Sequence, residues 1–338
     1  FDAVLRARLS LFDVNDWADY KVSQFNQEIG QLELDILVED VLEAISAAYF
    51  AQLRNERRLS TIEADMERDA VLLEIAQHQY EAGTATPLDV TRAEVRLSVN
   101  ELRKLQQETA VYESALTLKQ ALNLKLGAAL VLEPFPISKG ALDRFESSHL
   151  ASVFERRSEV IREVKTLERN ELARRAANYA MLPSLTLTGQ WGGSSEQFNN
   201  ELSEHWTVAL GFSMPIFEGY RIDADKRLAA SAVRSQESLL AETKMDVEAG
   251  YRLALEKVRS QFKQMAIANK QVELAEKELT LARIRFEEGV ADNSEVVTAQ
   301  AGLAEANDGM VEAEYLYQLA QLKLARERGS VRTLLGGQ

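Results

Sequence analysis

The sequence predicts a mainly α protein with a small β part, in which one long helical hairpin occurs twice. Three observations predict it. Helix breakers are scarce, with 16 Gly and 5 Pro in 338 residues, while Ala, Leu, Glu, Gln and Arg are abundant. That is the composition of long helices rather than of a compact α/β domain. Two stretches repeat each other's landmarks. Three short runs alternate apolar and polar residues with period two, a strand signature within an otherwise helical pattern.

The duplication is read from its landmarks. Gln79-Tyr80-Glu81-Ala82-Gly83, followed by Asp89-Val90-Thr91-Arg92-Ala93-Glu94, matches Arg285-Phe286-Glu287-Glu288-Gly289, followed by Glu295-Val296-Val297-Thr298-Ala299-Gln300. Far from these, Leu9-Ser10-Leu11-Phe12-Asp13 matches Met214-Pro215-Ile216-Phe217-Glu218 at nearly the same offset.

In chain order, residues 1–12 form a strand: Phe1, Ala3, Leu5, Ala7 and Leu9 alternate with Asp2, Arg6 and Arg8. The first repeat starts in mid-pattern here, so an earlier strand and helix are expected before Phe1. Arg6 and Arg8 either line a barrel lumen or mark its periplasmic rim. Residues 13–126 form the first hairpin. From Asp13 to Ala82 the only breaker is Gly30, which gives a helix of roughly 70 residues and about 105 Å. It stops at Gly83, where a left-handed C-cap is readily adopted. It restarts through Thr86-Pro87, an N-cap followed by a first-turn proline, and the return is expected to end at Gly127.

Residues 127–147, with Pro134 and Pro136, are an irregular equatorial segment expected to belt the waist. Residues 148–182 are a connecting helix, read over Ser148–Met181. With the first return helix it sums to roughly one long helix at 1.5 Å per residue, so two shorter helices are expected to retrace a long one end to end. Residues 218–328 are the second hairpin, which re-enters through Asp292-Asn293-Ser294 after Gly289, and 329–338 are a C-terminal tail. The second hairpin keeps a strict four-three spacing: Val247, Tyr251, Ala254, Val258, Gln261, Met265, Ala268, Val272, Ala275, Leu279, Ala282, Phe286, and on the return Val296, Ala299, Leu303, Ala306, Met310, Ala313, Tyr317, Ala320, Leu324. This periodicity predicts coiled-coil packing. The first hairpin is less regular, with Lys104 and Lys119 interrupting its stripe.

Residues 183–217 are a strand pair. Leu185, Leu187, Gly189 and Trp191 alternate with Ser184, Thr186, Thr188 and Gln190; after a polar loop from Gly192 to Glu204, Trp206, Val208, Leu210, Phe212 and Met214 alternate with Thr207, Ala209, Gly211 and Ser213. Large apolar residues opposite small polar ones are the pattern of a lipid-facing barrel strand, and each run can cross a membrane when tilted. Trp191 and Trp206 suit an interfacial girdle. So few strands cannot close a barrel, and open edges are not tolerated in lipid, so several subunits must share one. The other reading is a soluble hairpin packed on helices.

Composition excludes several functions. A net charge of −14 argues against nucleic acid, which needs a basic face. Without cysteine, disulfides, thiolate zinc sites and thiol nucleophiles are impossible. No apolar run reaches the length of a spanning helix. His78, His149 and His205 lie on different elements without a second ligand at metal spacing. No P-loop, dinucleotide or serine-hydrolase motif occurs, and paired acids such as Asp65 and Glu67 read as solvated helix charges.

The chain resembles the TolC family of outer-membrane efflux proteins (outer membrane factors). The residues that carry the likeness are Tyr80-x-x-Gly83 with Asp89-Val90-x-x-Ala93, Phe286-x-x-Gly289 with Glu295-Val296-x-x-Ala299, Met214-Pro215-Ile216-Phe217-Glu218-Gly219, and Leu182-Pro183-x-Leu185-x-Leu187. The resemblance implies a homotrimeric α-barrel tunnel topped by a shared twelve-stranded transmembrane β-barrel, set in the outer membrane of a Gram-negative bacterium and extending into the periplasm. It implies a passive duct for small molecules or proteins, docked to a periplasmic adaptor (membrane fusion) protein and an inner-membrane transporter. No catalysis, cofactor, metal or nucleic acid is implied.

Family tunnels close near the interhelical turns. Asp89, Asp292 and Glu295 are therefore candidates for an acidic ring, in which like charges would raise the carboxyl pKa values. The other reading is that each complements its helix dipole. Tyr80, Gly83, Pro87, Val90, Phe286, Gly289 and Val296 are candidates for the tip turns and adaptor docking. The best-known member locks its tip with a Tyr and an Arg where this chain has Phe286 and Ala291, so that lock cannot form through these positions. The rival function is a structural coiled-coil scaffold or tether of the cell envelope without a pore, which has no need of strands with one large apolar face.

Overall fold

The computed structural model describes residues 2–133, 150–194, 203–288, 290 and 293–336. Pro134, Pro136 and most of the expected belt lie outside them, as do Phe1, His149, Gly289, Ala291 and Asp292. The elements are β1 (Asp2–Phe12), α1 (Val14–Glu81), α2 (Pro87–Ala121), α3 (Leu150–Phe154), α4 (Ser158–Asn178), β2 (Ser184–Ser194), β3 (Ser203–Ser213), α5 (Arg221–Glu287), α6 (Asn293–Glu327) and α7 (Val331–Gly336). The duplication persists in the fold. The two long helices have 68 and 67 residues, and the two return helices 35 each.

The chain divides into two compact units. The first comprises Phe1–Ile36 and Arg157–Val247. Its antiparallel sheet has the order β1-β2-β3. Cross-strand register aligns Leu5 with Trp191 and Trp206, Ala7 with Gly189 and Val208, and Leu9 with Leu187 and Leu210. A bulge between Ser10 and Phe12 then brings Phe12, rather than Leu11, opposite Leu185, which pairs with Phe212. Directly opposed residues share a face, so these rows make one apolar face. It is open to its surroundings: Leu5 is 70% exposed, Trp206 75% and Phe212 70%. The strands also run further than expected, pairing Gly192 with His205 and Ser194 with Ser203.

The junctions to helices are local chemistry. Asp13 accepts the Asn15 N–H at 2.8 Å and opens α1. At the second copy, Gly219 and Tyr220 both take positive φ, 58° and 67°, so α5 starts at Arg221 rather than Glu218. Two successive left-handed residues cannot belong to a right-handed helix. Tyr220 stacks edge-to-face on Phe217, centroids 5.6 Å apart. α4 is tied to its neighbours by polar contacts: Gln236 donates to the buried Glu163 at 2.6 Å, Arg169 to Asn26 at 3.0 Å, and Lys165 pairs with Glu28 at 3.2 Å. The connecting helix expected to run unbroken is two helices. Arg157 leaves the helical region (φ −75°, ψ 112°) as the N-cap of α4, and its guanidinium meets Glu159 at 3.0 Å.

The second unit comprises Leu37–Arg156 and Glu248–Gln338. Its second hairpin buries the expected seam: Tyr251, Ala254, Val258, Met265, Ala268, Ala275, Leu279 and Ala282 face Val296, Ala299, Leu303, Ala313, Tyr317, Ala320 and Leu324, all buried. The first hairpin is joined differently. Gln107 donates to the Asn55 carbonyl at 2.9 Å, Asn55 donates to Ser114 Oγ at 3.0 Å, and Ser114 donates to Gln52. Lys104, which breaks the apolar stripe, pairs with Glu63 of α1 at 3.0 Å. These polar layers explain the irregular heptads.

Two ends differ from expectation. α2 stops at Ala121, well before Gly127. Asn123 adopts the left-handed conformation (φ 53°) and donates to the Gln120 carbonyl at 3.0 Å, while Leu124 donates to that of Lys119 at 2.8 Å. This is the C-cap motif usually served by glycine. The C-terminal tail carries a short helix, α7. Val331 is fully buried there beside Phe50, Leu322 and Ala325, and its N–H reaches Glu39 at 3.1 Å.

Candidate functional site

Each helical tip is built by a helix stop and a restart. At the first, Gly83 takes φ 77°, donates to the Tyr80 carbonyl at 3.0 Å, and is followed by Thr84 donating to Gln79 at 2.9 Å. At the second, Val290 donates to the Arg285 carbonyl at 2.9 Å, the equivalent of the Thr84 bond. Gly289 lies outside the described residues.

The restart decides the state of Asp89. The Thr86 N–H and hydroxyl both donate to its carboxylate, at 2.9 and 2.6 Å. These bonds hold Asp89 below the usual carboxylate range. In the single chain, Asp89 is thus a helix cap. Glu295 is paired with Arg285 at 3.0 Å across the second tip. Asp292, the third candidate, lies outside the described residues.

The apolar tip residues fall into two environments. Phe286 packs against a cluster of Leu72, Ala275, Leu279, Ala282, Val296, Ala299 and Leu303, in which Val296 is 1% exposed. Tyr80, Phe286's equivalent, is 49% exposed. Val90 is half-buried and Pro87 exposed. The second tip is therefore anchored to the core of its unit, while the first presents its aromatic outward.

Above the tips lies a buried polar centre that is not among the expected sites. Asp69 of α1 is 1% exposed. Its carboxylate receives Arg96 at 2.7 Å and Asn100 at 2.5 Å from α2, and Gln300 at 2.9 Å from α6. Arg96 also donates to the Val297 carbonyl at 2.8 Å. One carboxylate thus ties the first hairpin to the second. Asp65 is buried as well, not solvated as expected, whereas Glu67 is exposed. Burial raises the Asp65 pKa, against the opposing pull of the adjoining Arg68. A signal is present in the sequence: Ile62, Asp65, Asp69, Leu72 and Ala76 follow the four-three spacing of a seam, and all five are buried. An acid at such a position must find partners.

Beside this centre, α2 and α6 border a groove of about 940 Å³ lined by Leu88, Val95 and Val99, with Arg92, Arg96 and Arg103. Further along α2, Leu102, Leu105 and Tyr112 are 57–65% exposed, an apolar face that no other described residue covers. Among the described residues no helix is long and apolar enough to cross a membrane, and no group of His, Asp and Glu could hold a metal. His78 lies between Glu74 and Glu81, both at 3.7 Å, and His205 is exposed on β3.

Comparison with known proteins gives a consistent picture. The model of the family described as "Outer membrane efflux protein" matches residues 1–124 and 155–330. The outer membrane protein OprJ of Pseudomonas aeruginosa is 27% identical over 301 residues, which is 84% of this chain and 60% of OprJ. The proteases secretion protein PrtF of Dickeya chrysanthemi is 22% identical over 97% of this chain and 72% of its own length. In fold, the chain is similar to the crystal structure of the outer membrane protein VceC from Vibrio cholerae, with a TM-score of 0.81 at 16% identity, covering 97% of this chain and 79% of that one.

Proposed function

Because this chain belongs to the outer membrane efflux protein family, we propose that it is a subunit of a passive export duct. Three copies share a twelve-stranded barrel in the outer membrane, and their helices form a tunnel through the periplasm. A periplasmic adaptor docks at the helical tips, and an inner-membrane transporter supplies energy and selects cargo. Small molecules and proteins are both admissible cargo classes: PrtF is a proteases secretion protein. The chain spans 60% of the length of OprJ, so the duct, its cargo and its partners are proposals for the whole protein.

One observation carries the reading. The sheet has a continuous, exposed apolar face and a polar one, and among the described residues no further strand pairs with the edges of β1 and β3. In water, leaving Leu5, Leu9, Trp206, Val208, Leu210 and Phe212 uncovered forgoes on the order of 10 kcal/mol of burial. In lipid the same face is satisfied, but the open edges are not, and only closure with other copies removes them. The exposed apolar face of α2 is available to the same association. Asp89 and Glu295 stand at the tips, where the assembled tunnel narrows, and Asp292 comes three residues before Glu295 in sequence.

The test is electron microscopy of the full-length protein purified in detergent. A hollow cylinder of threefold symmetry, with a helical tube on the order of 100 Å, is the expected result. Monomers or solid rods would overturn the duct.

A further inference from the structure

The two faces of the sheet differ in charge as well as in polarity. Arg6 and Arg8 flank Ala7, the middle residue of β1, on the face opposite Leu5, Leu9 and their partners. Register sets Arg6 beside Gln190 and Thr207, and Arg8 beside Thr188 and Ala209. Across the rows from Val4 to Ser10, this face carries Thr186, Thr188, Gln190, His205, Thr207, Ala209 and Gly211. None is an acid. Among the described residues neither arginine makes an ion pair or a hydrogen bond through its side chain. The two are about 7 Å apart, two strand residues, so they repel one another with no carboxylate on these rows to offset it.

Their depth follows from the apolar rows. Arg6 lies one residue from the Leu5–Trp191–Trp206 row and Arg8 one residue from the Leu9–Leu187–Leu210 row. Both therefore sit within the span of the apolar band, four or more residues from the helix-side end of β1 at Phe12. That excludes the periplasmic rim. An arginine turned to lipid within that band costs roughly 2–4 kcal/mol, and the opposite face is fully apolar, so the guanidinium groups must meet water.

We propose that Arg6 and Arg8 line the water-filled barrel as an electropositive belt that favours solutes bearing carboxylate, sulfonate or phosphate groups over cations. This rests on the shared-barrel reading above, in which threefold repetition makes six such charges at one level. The belt is opposite in sign to the chain's net charge of −14, and a ring of arginine is the usual device for anion passage.

None of these 338 residues is cysteine, so a cysteine placed among them can be read directly once any cysteine elsewhere in the protein is replaced by serine. In the full-length protein in lipid vesicles, Arg8→Cys and Leu9→Cys are each modified with two water-soluble methanethiosulfonates, one anionic and one cationic. The expected result is that Arg8→Cys reacts while Leu9→Cys, on the lipid face, does not. At Arg8→Cys the anionic reagent is favoured relative to free cysteine, and adding Arg6→Gln lowers that preference about threefold, as a local potential near half of kT implies. An anionic preference unchanged by Arg6→Gln overturns the belt but leaves the barrel standing, because the two positions still differ in access. If both cysteines react alike, or neither does, the faces are not divided between water and lipid. The barrel and the belt then fail together.

Discussion

Asp69 shows how much one residue can hold. Its carboxylate is wholly buried and accepts from Arg96, Asn100 and Gln300. Removing it leaves a largely buried guanidinium without its counter-charge, the costly half of a buried ion pair. Asp69→Ala is therefore expected to destabilise the protein by about 3–5 kcal/mol, read as a lowered urea midpoint by circular dichroism. Glu63→Gln, which breaks the more exposed pair with Lys104, should leave that midpoint nearly unchanged. Asp65 behaves in the opposite sense with pH. Its folded pKa is raised above 3.8, chiefly by burial, with Asp69 and Asp308 adding repulsion and Arg68 opposing; Arg58 lies 3.5 Å from Asp308. The folded chain thus holds this proton more tightly, so its contribution is greatest below pH 3.8 and is lost as pH rises through the folded value. The stability difference between wild type and Asp65→Asn should accordingly vary with pH in that window and be flat below it. A difference independent of pH would show that Asp65 does not titrate in this way.

At the scale of elements, the same substitution should act with opposite sign in two places. Gly83 has φ 77° with open space where a Cβ would stand, and Gly30 lies in mid-helix with equally open space. Gly83→Ala forces a side chain into the left-handed region and should cost about 1 kcal/mol. Gly30→Ala should gain roughly 0.5–1 kcal/mol by helix propensity. Thermal melts of the two variants, displaced in opposite directions, check the pair. Most elements are legible in the sequence because their causes are local. An unbroken run from Asp13 to Ala82 can only be a long helix, and the apolar four-three seam of the second hairpin needs no partner to be recognised. The first hairpin is less legible because Gln52, Asn55, Gln107 and Ser114 satisfy one another only across helices. The early stop of α2 is hidden because Asn123 does glycine's work there, and the break at Arg157 because no Gly or Pro marks it. At the tips, spacing locates the acids but not their partners, Thr86 and Arg285.

At the scale of the whole molecule, the proposed barrel sets the sheet's apolar face in lipid, and the position of the tryptophans should be measurable there. Trp191 and Trp206 are directly opposed at one end of the apolar rows. In vesicles, bromine placed near the lipid headgroups should quench their fluorescence more than bromine near the bilayer centre, as for an interfacial girdle. Trp191→Phe combined with Trp206→Phe should abolish most of that quenching, and quenching that persists would remove these residues from the boundary. The polar seam of the first hairpin bears on the assembly in another way. An apolar seam tolerates a shift of one helical turn, since one methyl group can replace another. The Asn55–Ser114–Gln107 layer does not, because a slipped helix would strand its amides in a dry interface. It works as a key cut to one depth, fixing how far the first hairpin projects beyond its own midpoint. A ring of hairpins can meet flush at its mouth only if every one of them ends at the same height.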